Sequence, residues 1–553
     1  MTAWLRRTVL ALASGILLAL AFPQFDLSFL VWVALVPLLL ALQDQSLKAS
    51  FGYGFLTTLT AALGTVSWVA GPEEVTAFDV ALIVSYLGLY GGLFGLLFGL
   101  LPRHITVPLV LTAPAIWVSV ELLRAHFFFL EFPWVLLGHS QYRHPALIQI
   151  ASITGVYGVS FLIMTVNVAL FELIRNRWRA TIPALYAGSL VGLTLMGGLM
   201  VLSLAPTGQS VTVTVIPGNL PQAVRWDTAR VQANLAKYVR LTKQAHHSAT
   251  SSLIVWPETA VPGDLRRDFH TVKVLSDLVR ETQTPLLLGS AERAKFGPSG
   301  LGRQAPKRRY NGAFLFSPTG SPVRAYYKIK LLPFGEYLPL KDSFPWPARY
   351  HTQTGNYEPG EDYVVFSLSG PEARSAQFSV LLCWEAIFPD LVRQFVTRGA
   401  EFLIAMSNEA WFSGTAAPSQ FLSMNVFRAV ENRRAVVRSV NGGISGFIDP
   451  YGRLGATISP EEATPSSDGF LTHAIPVVRS QTLYTLYGDV FAQSVVAAAL
   501  VLFVVPLIAR LWIWSPKSTV ASHVGDSCLQ EDAGSGEPEA VTRVRRPGSP
   551  AMG

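Results

Sequence analysis

Long apolar stretches constrain this chain more than any other feature of its sequence. An α-helix needs about 20 mostly apolar residues to cross a bilayer, and eight stretches come close to that length. They lie at residues 5–22, 27–43, 51–71, 78–101, 105–123, 151–174, 184–204 and 489–513. Only 14% of the 553 residues are charged and the mean hydropathy is +0.37, which is too apolar for a soluble protein. The sequence therefore predicts a polytopic α-helical membrane bundle of about eight spans.

Basic residues beside these stretches predict the orientation of the bundle, because they accumulate on the cytoplasmic side of membranes. All of them fall on one side if the N-terminus is cytoplasmic: Arg6, Arg7, Lys48, Arg103, Arg175, Arg177, Arg179, Arg510 and Lys517. The long segment 205–488 then lies outside the cytoplasm. Residues 19–21, Ala-Leu-Ala, resemble a signal-peptide cleavage site. A second apolar stretch follows so closely that we favour an uncleaved anchor.

The segment 205–488 differs from the rest of the chain in its pattern of apolar residues. Short β-branched runs alternate with stretches of helical periodicity at 228–247 and 264–283, a pattern typical of a layered α/β domain. The predicted organisation is a bundle over 1–204, this domain over 205–488, a transmembrane helix over 489–514 and a disordered cytoplasmic tail over 515–553. The net charge of +7 is explained by basic residues beside the spans and in this domain, so no nucleic-acid partner is predicted.

Three polar residues stand where predicted strands end. Glu258 closes "LIVWPE", Lys328 lies in "YYKIKLLPFGEY", and Cys383 closes "SVLLC"; the second cysteine, Cys528, is in the tail. Side chains at strand ends converge on ligands, and a carboxylate, an amine and a thiol together can form an activated nucleophile. Spacing alone leaves ordinary structural roles open: a cap for Glu258, a solvated side chain for Lys328, and a small core residue for Cys383.

Four motifs resemble the Glu-Lys-Cys signatures of the nitrilase superfamily in order and approximate spacing: "VWPET", "YYKIKLLPFGEY", "LLCWEAIFPD" and "SNEAWF". Carried on a bundle of spans, they resemble the apolipoprotein N-acyltransferase family. Three further stretches extend the likeness from the first span to the eighth: "FPWVLLGHSQ" (132–141), "IPGNLPQAVRW" (216–226) and "TLYTLYGD" (482–489). The resemblance implies that the domain over 205–488 is a nitrilase-like αββα sandwich.

The resemblance also implies roles for individual residues. Glu258 would be the general base, Lys328 the stabiliser of the oxyanion and Cys383 the nucleophile. Lys330 is the rival for the lysine role, but the offset to Glu336 fits Lys328. The implied supporting residues are Trp226, Glu336, Trp384 and Glu385. Glu409 stands where the family more usually has Asp. No cofactor is implied, and no His/Cys cluster with metal-ligand spacing occurs in the sequence.

The implied reaction moves an acyl chain from a phospholipid to the N-terminal α-amine of the diacylglyceryl-cysteine of apolipoproteins, through a thioester on Cys383. The expected partners are a phospholipid donor, a diacylated apolipoprotein acceptor and the membrane. The expected location is the bacterial cytoplasmic (inner) membrane, with the catalytic domain on the periplasmic side. The aromatic segments 126–134 and 339–350 are candidates for the bilayer surface. Glu121 and Arg124 are predicted to pair with each other rather than to meet a phospholipid head group.

Two other functions remain open from the sequence. A membrane-anchored hydrolase of the nitrilase or amidase type would use the same chemistry on a small substrate, but it would need only an anchor. A transporter with an accessory domain should carry several charges inside its spans, and these spans are nearly free of them. Both alternatives therefore fit the sequence less well than the acyltransferase.

Overall fold

The computed structural model describes residues 2–101, 107–177, 181–203, 209–220, 231–265, 267–294, 308–347, 350, 355–368, 376–459 and 469–513. The chain forms two compact units, residues 1–503 and 504–553. In the second unit the described residues are 504–513, which are helical. The tail over 515–553 lies outside the described residues.

Sixteen α-helices are present in the described part of the chain. In order, α1 to α16 are Ala3–Ala21, Val31–Ala34, Val36–Leu42, Leu47–Val66, Ala77–Leu100, Leu109–Ala125, Pro145–Ile148, Ala151–Thr154, Val156–Arg175, Thr181–Ser203, Val231–Ser248, Phe269–Thr282, Pro389–Thr397, Ala417–Asn432, Leu483–Tyr487 and Val490–Ile513.

Four of these helices, α1, α5, α9 and α10, are both long and apolar enough to cross a membrane. The predicted count of about eight spans is therefore not confirmed. Helices also occupy the other predicted stretches, and those at 27–43, 51–71 and 105–123 are divided, more polar or shorter. The stretch at 27–43 is divided between α2 and α3, α4 carries four threonines and three glycines, and α6 has only 17 residues.

The predicted pairing of Glu121 with Arg124 is present only as an interaction between their charges. No ion pair joins these two described side chains, although both are buried. Glu121 instead accepts hydrogen bonds from the backbone N–H of Leu137 at 2.7 Å and the indole N–H of Trp117 at 3.0 Å. Arg124 donates to the carbonyl of Trp134 at 3.0 Å. Both charged residues of α6 thus hold the loop that follows it.

Thirteen strands in the described residues form two sheets. In order, β1 to β13 are Ser210–Val215, Leu253–Val255, Val261–Asp264, Leu286–Ala294, Arg308–Phe316, Pro322–Tyr327, Phe366–Leu368, Ala376–Leu382, Phe402–Asn408, Ala435–Asn441, Ser445–Ile448, Leu454–Ile458 and Leu471–Pro476. The first sheet has the order β13-β1-β2-β4-β5-β6, with β3 beside β4, and the second has the order β12-β11-β10-β9-β8-β7. In each sheet three neighbouring strands are parallel, β1-β2-β4 in the first and β8-β9-β10 in the second.

The side chains of each strand point alternately to opposite faces of its sheet, and this alternation builds the layers. In β2, Leu253 and Val255 join the core shared with the second sheet, whereas Ile254 and the following Trp256 pack with helices α11 and α12. Helices α13 and α14 contact the second sheet. The order of layers is helix, sheet, sheet, helix, which confirms the nitrilase-like sandwich.

Candidate active site

The structure brings together the three strand-end residues that the sequence singled out. Glu258 follows β2, Lys328 follows β6 and Cys383 follows β8. The Nζ of Lys328 lies 3.8 Å from a carboxylate oxygen of Glu258, and the charges of both residues act on the thiol of Cys383. A carboxylate, an ammonium and a thiol therefore share one buried site.

Lys328 is almost fully buried, with 1% of its side chain exposed, and it is held by a second carboxylate. Its Nζ lies 2.8 Å from Oε2 of Glu336, which also accepts the backbone N–H of Leu332 at 2.8 Å. Burial alone would lower the pKa of Lys328, but the neighbouring charges of Glu336, Cys383 and Glu258 outweigh it and raise the pKa. The lysine therefore remains an ammonium at neutral pH.

Glu258 is oriented by two donors that sequence reasoning missed. The side-chain amide of Asn311 donates to Oε1 of Glu258 at 2.8 Å and to Oε1 of Glu336 at 2.9 Å. The backbone N–H of Asn408 donates to Oε2 of Glu258 at 2.9 Å. Asn311 thus bridges the two carboxylates that flank Lys328. A polar residue inside the apolar strand "NGAFLF" was the available signal for Asn311, whereas no sequence signal marks a backbone donor.

Gly289 on β4 makes room for the turn that carries Glu258. A Cβ atom at residue 289 would lie 2.6 Å from the Cα of Glu258 and 2.6 Å from the backbone N of Thr259. Backbone atoms cannot give way as a flexible side chain can. The position of the Glu258 carboxylate therefore depends on glycine at position 289.

Cys383 begins a short 3-10 turn, Cys383–Ile387, and adopts a left-handed backbone with a φ of 49°. This conformation is uncommon for residues other than glycine and often occurs at functional sites. Burial and the charge of Glu258 raise the pKa of the Cys383 thiol, while the ammonium of Lys328 lowers it in part. The resting cysteine is therefore a thiol, so its attack on a substrate requires a base.

Glu385 joins the cysteine turn to the lysine loop. Its Oε1 accepts the hydroxyl of Tyr326 at 2.6 Å and the backbone N–H groups of Ile329 at 2.7 Å and Lys330 at 3.1 Å. Its Oε2 accepts the backbone N–H of Leu382 at 2.8 Å. Burial raises the pKa of Glu385 to about 7, although these hydrogen bonds oppose the shift. Glu385 thus joins the backbone next to Lys328 to the backbone next to Cys383.

Trp384 connects the cysteine turn to the helical bundle. Its ring lies 6.0 Å from the ring of Phe132 and 6.0 Å from that of Trp134, both in the loop after α6. Trp134 and Trp68 each donate an indole N–H to Oε1 of Gln420, at 2.7 and 2.9 Å. Gln420, on α14, donates in turn to the carbonyls of Pro23 and Thr65, each at 2.8 Å. Helix α14 of the sandwich is therefore hydrogen-bonded directly to the bundle.

Lys330, the rival for the lysine role, pairs with a carboxylate other than Glu258. Its Nζ forms an ion pair with Glu131 and lies 4.7 Å from the centre of the Phe388 ring. Its side chain is 38% exposed. The geometry therefore favours Lys328 as the lysine of the site.

Glu409 and Trp226 were also singled out from the sequence. Glu409 is buried and accepts a hydrogen bond from the guanidinium of Arg438 at 3.0 Å. Burial raises the pKa of Glu409 to about 7, and the charge of Arg438 opposes that shift. Trp226 lies outside the described residues.

One group of side chains in the described residues could together hold a metal ion: His126, Asp390 and Asp489. None of them belongs to the candidate active site. The Nε2 of His126 lies 3.1 Å from Asp390, and this hydrogen bond raises the pKa of His126 to about 9. The three residues therefore form a charged contact between His126 and two carboxylates at neutral pH.

Comparison with known proteins covers both parts of the chain. A family model described as the apolipoprotein N-acyltransferase N-terminal domain matches residues 14–169, and a carbon-nitrogen hydrolase model matches residues 217–482. An apolipoprotein N-acyltransferase of Geobacter metallireducens is 36% identical over 513 residues, covering 90% of this chain and 94% of that protein. Enzymes of the same name from Chlorobaculum tepidum and Haemophilus influenzae are each 28% identical. They cover 91% and 87% of this chain, and 96% and 91% of their own lengths.

Proposed function

Since the chain belongs to the family of apolipoprotein N-acyltransferases, we propose that it transfers an acyl chain from a phospholipid to an apolipoprotein. The acceptor is the N-terminal α-amine of the diacylglyceryl-cysteine. The observation that carries this proposal is the buried site of Glu258, Lys328 and Cys383, whose cysteine turn stacks through Trp384 on the helical bundle. A site with two lipid substrates needs this proximity to the membrane.

In the proposed mechanism Cys383 is the nucleophile and Glu258 is the general base. The thiol has a raised pKa, so Glu258 removes its proton as the sulfur attacks the ester carbonyl of the phospholipid. The carbon–sulfur bond forms, the ester carbon–oxygen bond breaks, and the lysophospholipid leaves with the proton that Glu258 returns. The product of this half-reaction is an acyl thioester on Cys383.

Lys328 stabilises the negative oxygen of the tetrahedral intermediate together with the backbone N–H of Trp384. One preorganised donor of this kind contributes on the order of 3 kcal/mol to related acyl transfers. The carboxylates of Glu336 and Glu258 hold the ammonium in place before the substrate arrives. Lys328 therefore needs little rearrangement in the transition state.

The second half-reaction uses the same residues on a different substrate. The α-amine of the lipoprotein attacks the thioester, and Glu258 accepts the proton that the amine releases. An unperturbed α-amine has a pKa of about 8, so part of it is neutral at pH 7, whereas a lysine side chain with a pKa of about 10.4 is mostly protonated. The α-amine is therefore the preferred acceptor, and the two half-reactions follow a ping-pong order.

The helical bundle determines the proposed location of the enzyme in the membrane. We propose that the helices at the other four predicted stretches cross the membrane together with α1, α5, α9 and α10. An even number of crossings with a cytoplasmic N-terminus leaves both termini inside and the sandwich on the periplasmic side of the inner membrane. On spheroplasts, an impermeant thiol reagent should leave Cys528 unlabelled until the membrane is permeabilised. Labelling of Cys528 from outside would reverse this orientation.

Mass spectrometry of the protein tests the reaction. After incubation with phospholipid alone, Cys383 should carry one acyl chain that hydroxylamine removes. The isolated adduct should then pass its chain to a diacylated lipopeptide with no phospholipid present. Lysophospholipid that appears only when both substrates are present would contradict the ping-pong order. Release of ammonia from a soluble amide, without acyl transfer, would instead favour the hydrolase.

A further inference from the structure

A cavity of about 420 Å³ lies directly beside the candidate active site. Ile329 and Trp384, which line it, are the residues that follow Lys328 and Cys383 in the chain. Phe128 and Phe129 of the aromatic segment 126–134 also line it. A molecule in this cavity would therefore contact both the residues that follow Lys328 and Cys383 and the loop that follows α6.

The cavity combines apolar walls with two lysines. Lys330 and Lys341 both line it, and so do the carboxylates Glu131 and Glu358. Lys330 is held there on both sides, by its ion pair with Glu131 and by the ring of Phe388 beneath its ammonium. Its backbone N–H is fixed separately by Glu385. The ammonium can therefore change partner without disturbing the lysine loop.

We propose that Lys330 and Lys341 bind the phosphodiester of the acyl donor in this cavity, with the phosphate replacing Glu131 as the partner of Lys330. This inference rests on the proposed function and names the part of the same site that receives the donor's head group. A lysine ammonium binds phosphate as a point charge, and the aromatic and aliphatic walls accommodate the glycerol and the first part of the chains.

The surroundings of Lys330 favour a lipid phosphate over a free phosphate ion. Phe128 is 69% exposed and has a left-handed backbone with a φ of 51°. A bulky residue rarely adopts this conformation. The loop thus presents an aromatic side chain at the rim of a cavity that also contains cations, which is a combination suited to an amphiphile.

Two substitutions with opposite expected effects test the proposal. Lys330→Met retains the length of the side chain and the backbone hydrogen bond to Glu385 but removes the charge. It should raise the KM for phospholipid in the acylation half-reaction about tenfold, which corresponds to about 1.4 kcal/mol, with little change in kcat. Glu131→Gln removes the competing carboxylate and should lower that KM. Lys330→Arg should remain close to the wild type. Lys243→Ala, which removes a surface ion pair with Glu281, is the matched control.

Inhibition by three compounds at constant ionic strength identifies the ligand. Lysophospholipid should inhibit the wild type more strongly than monoacylglycerol of the same chain, and Lys330→Met should abolish that difference. Inorganic phosphate should not inhibit at the concentrations at which lysophospholipid does. Equal inhibition by both lipids in the wild type, or effective inhibition by phosphate alone, would overturn the proposal.

These outcomes are separable from failure of the proposed function. If Cys383 is never acylated by phospholipid, the acyltransferase mechanism fails. If Cys383 is acylated normally and Lys330→Met leaves KM and the inhibitor preference unchanged, only the head-group site is wrong.

Discussion

The indole rings of Trp134 and Trp384 stack with their centres 6.0 Å apart and their planes 18° from parallel. Trp134 belongs to the loop after α6, and Trp384 directly follows Cys383 in the chain. Trp134 is also fixed by Arg124, which donates to its carbonyl, and by Gln420, which accepts its indole N–H. Cys383, the proposed nucleophile, is therefore packed, through one residue, against a loop of the helical bundle.

Replacing Cys383 with Ala or Ser should abolish N-acylation, by at least about 10³-fold, because no other group in the site can form the thioester. The protein should still fold, since Cys383 makes no disulfide. Activity and Tm measured together check both statements, with Cys528→Ser in the tail as the control. Wild-type acylation by Cys383→Ala would exclude the cysteine mechanism.

Replacing Glu258 with Gln or Lys328 with Met should prevent accumulation of the thioester. Loss of the base should slow acylation by about 10²–10⁴-fold, and loss of the oxyanion donor by about 10²–10³-fold. Single-turnover acylation followed by mass spectrometry measures both. Lys330→Met at saturating phospholipid is the comparison. A normal rate for Lys328→Met with an inactive Lys330→Met would show that the lysine is wrongly assigned.

Gly289→Ala should slow acylation and lower the Tm. The added methyl group would sit 2.6 Å from the Cα of Glu258, and such overpacking typically costs about 1–3 kcal/mol. Gly192→Ala is the matched control, because a Cβ there meets nothing within 4 Å. An unchanged acylation rate in Gly289→Ala would mean that the turn carrying Glu258 can shift without consequence.

Glu385→Gln should lower stability by about 1–3 kcal/mol, because an amide N–H₂ cannot accept the bond that Leu382 now donates to Oε2. The difference in stability between the wild type and Glu385→Gln should also depend on pH. The pKa of Glu385 is raised to about 7 in the folded protein, above the ordinary value of about 4.3. Its protonation therefore contributes stability that is fully present below about pH 4.3 and is lost as the carboxyl ionises and the pH rises through 7.

The Tm of the wild type minus that of Glu385→Gln should accordingly fall between pH 4.5 and pH 8. Thermal unfolding in detergent across this range measures the difference. A gap that widens with rising pH would show that the Glu385 carboxylate is stabilised, rather than penalised, by its buried position.

Much of the site could be predicted from the sequence because three of its polar residues stand at or near the ends of buried strands and lie in motifs that resemble a known family. Glu258, Lys328 and Cys383 were located in this way, and the structure places them in one site. Asn311 was missed because its role depends on β5 lying between two carboxylates that are distant in sequence. The donor N–H of Asn408 was missed because a backbone hydrogen-bond donor cannot be recognised from the residue type.

The bundle was harder to predict than the sandwich. Hydropathy finds apolar stretches but not where a helix breaks, and the stretch at 27–43 is interrupted between α2 and α3. Glu121 and Arg124, near the outer end of a predicted span, were expected to pair with each other. Both instead bond the loop at 134–137, which hydropathy could not reveal.

The four hydrogen bonds of Gln420 bear on whether the sandwich can be separated from the helical bundle. Cutting the sandwich away from the bundle would remove the two indole donors and the two carbonyl acceptors of a fully buried amide. The cut would also expose Phe421 and Trp384, now buried against Trp134. The isolated fragment would expose to water a large apolar surface that contains hydrogen-bonding groups without partners, and it would aggregate. Unlike a domain on a flexible tether, this catalytic half cannot be released by proteolysis as a working soluble enzyme.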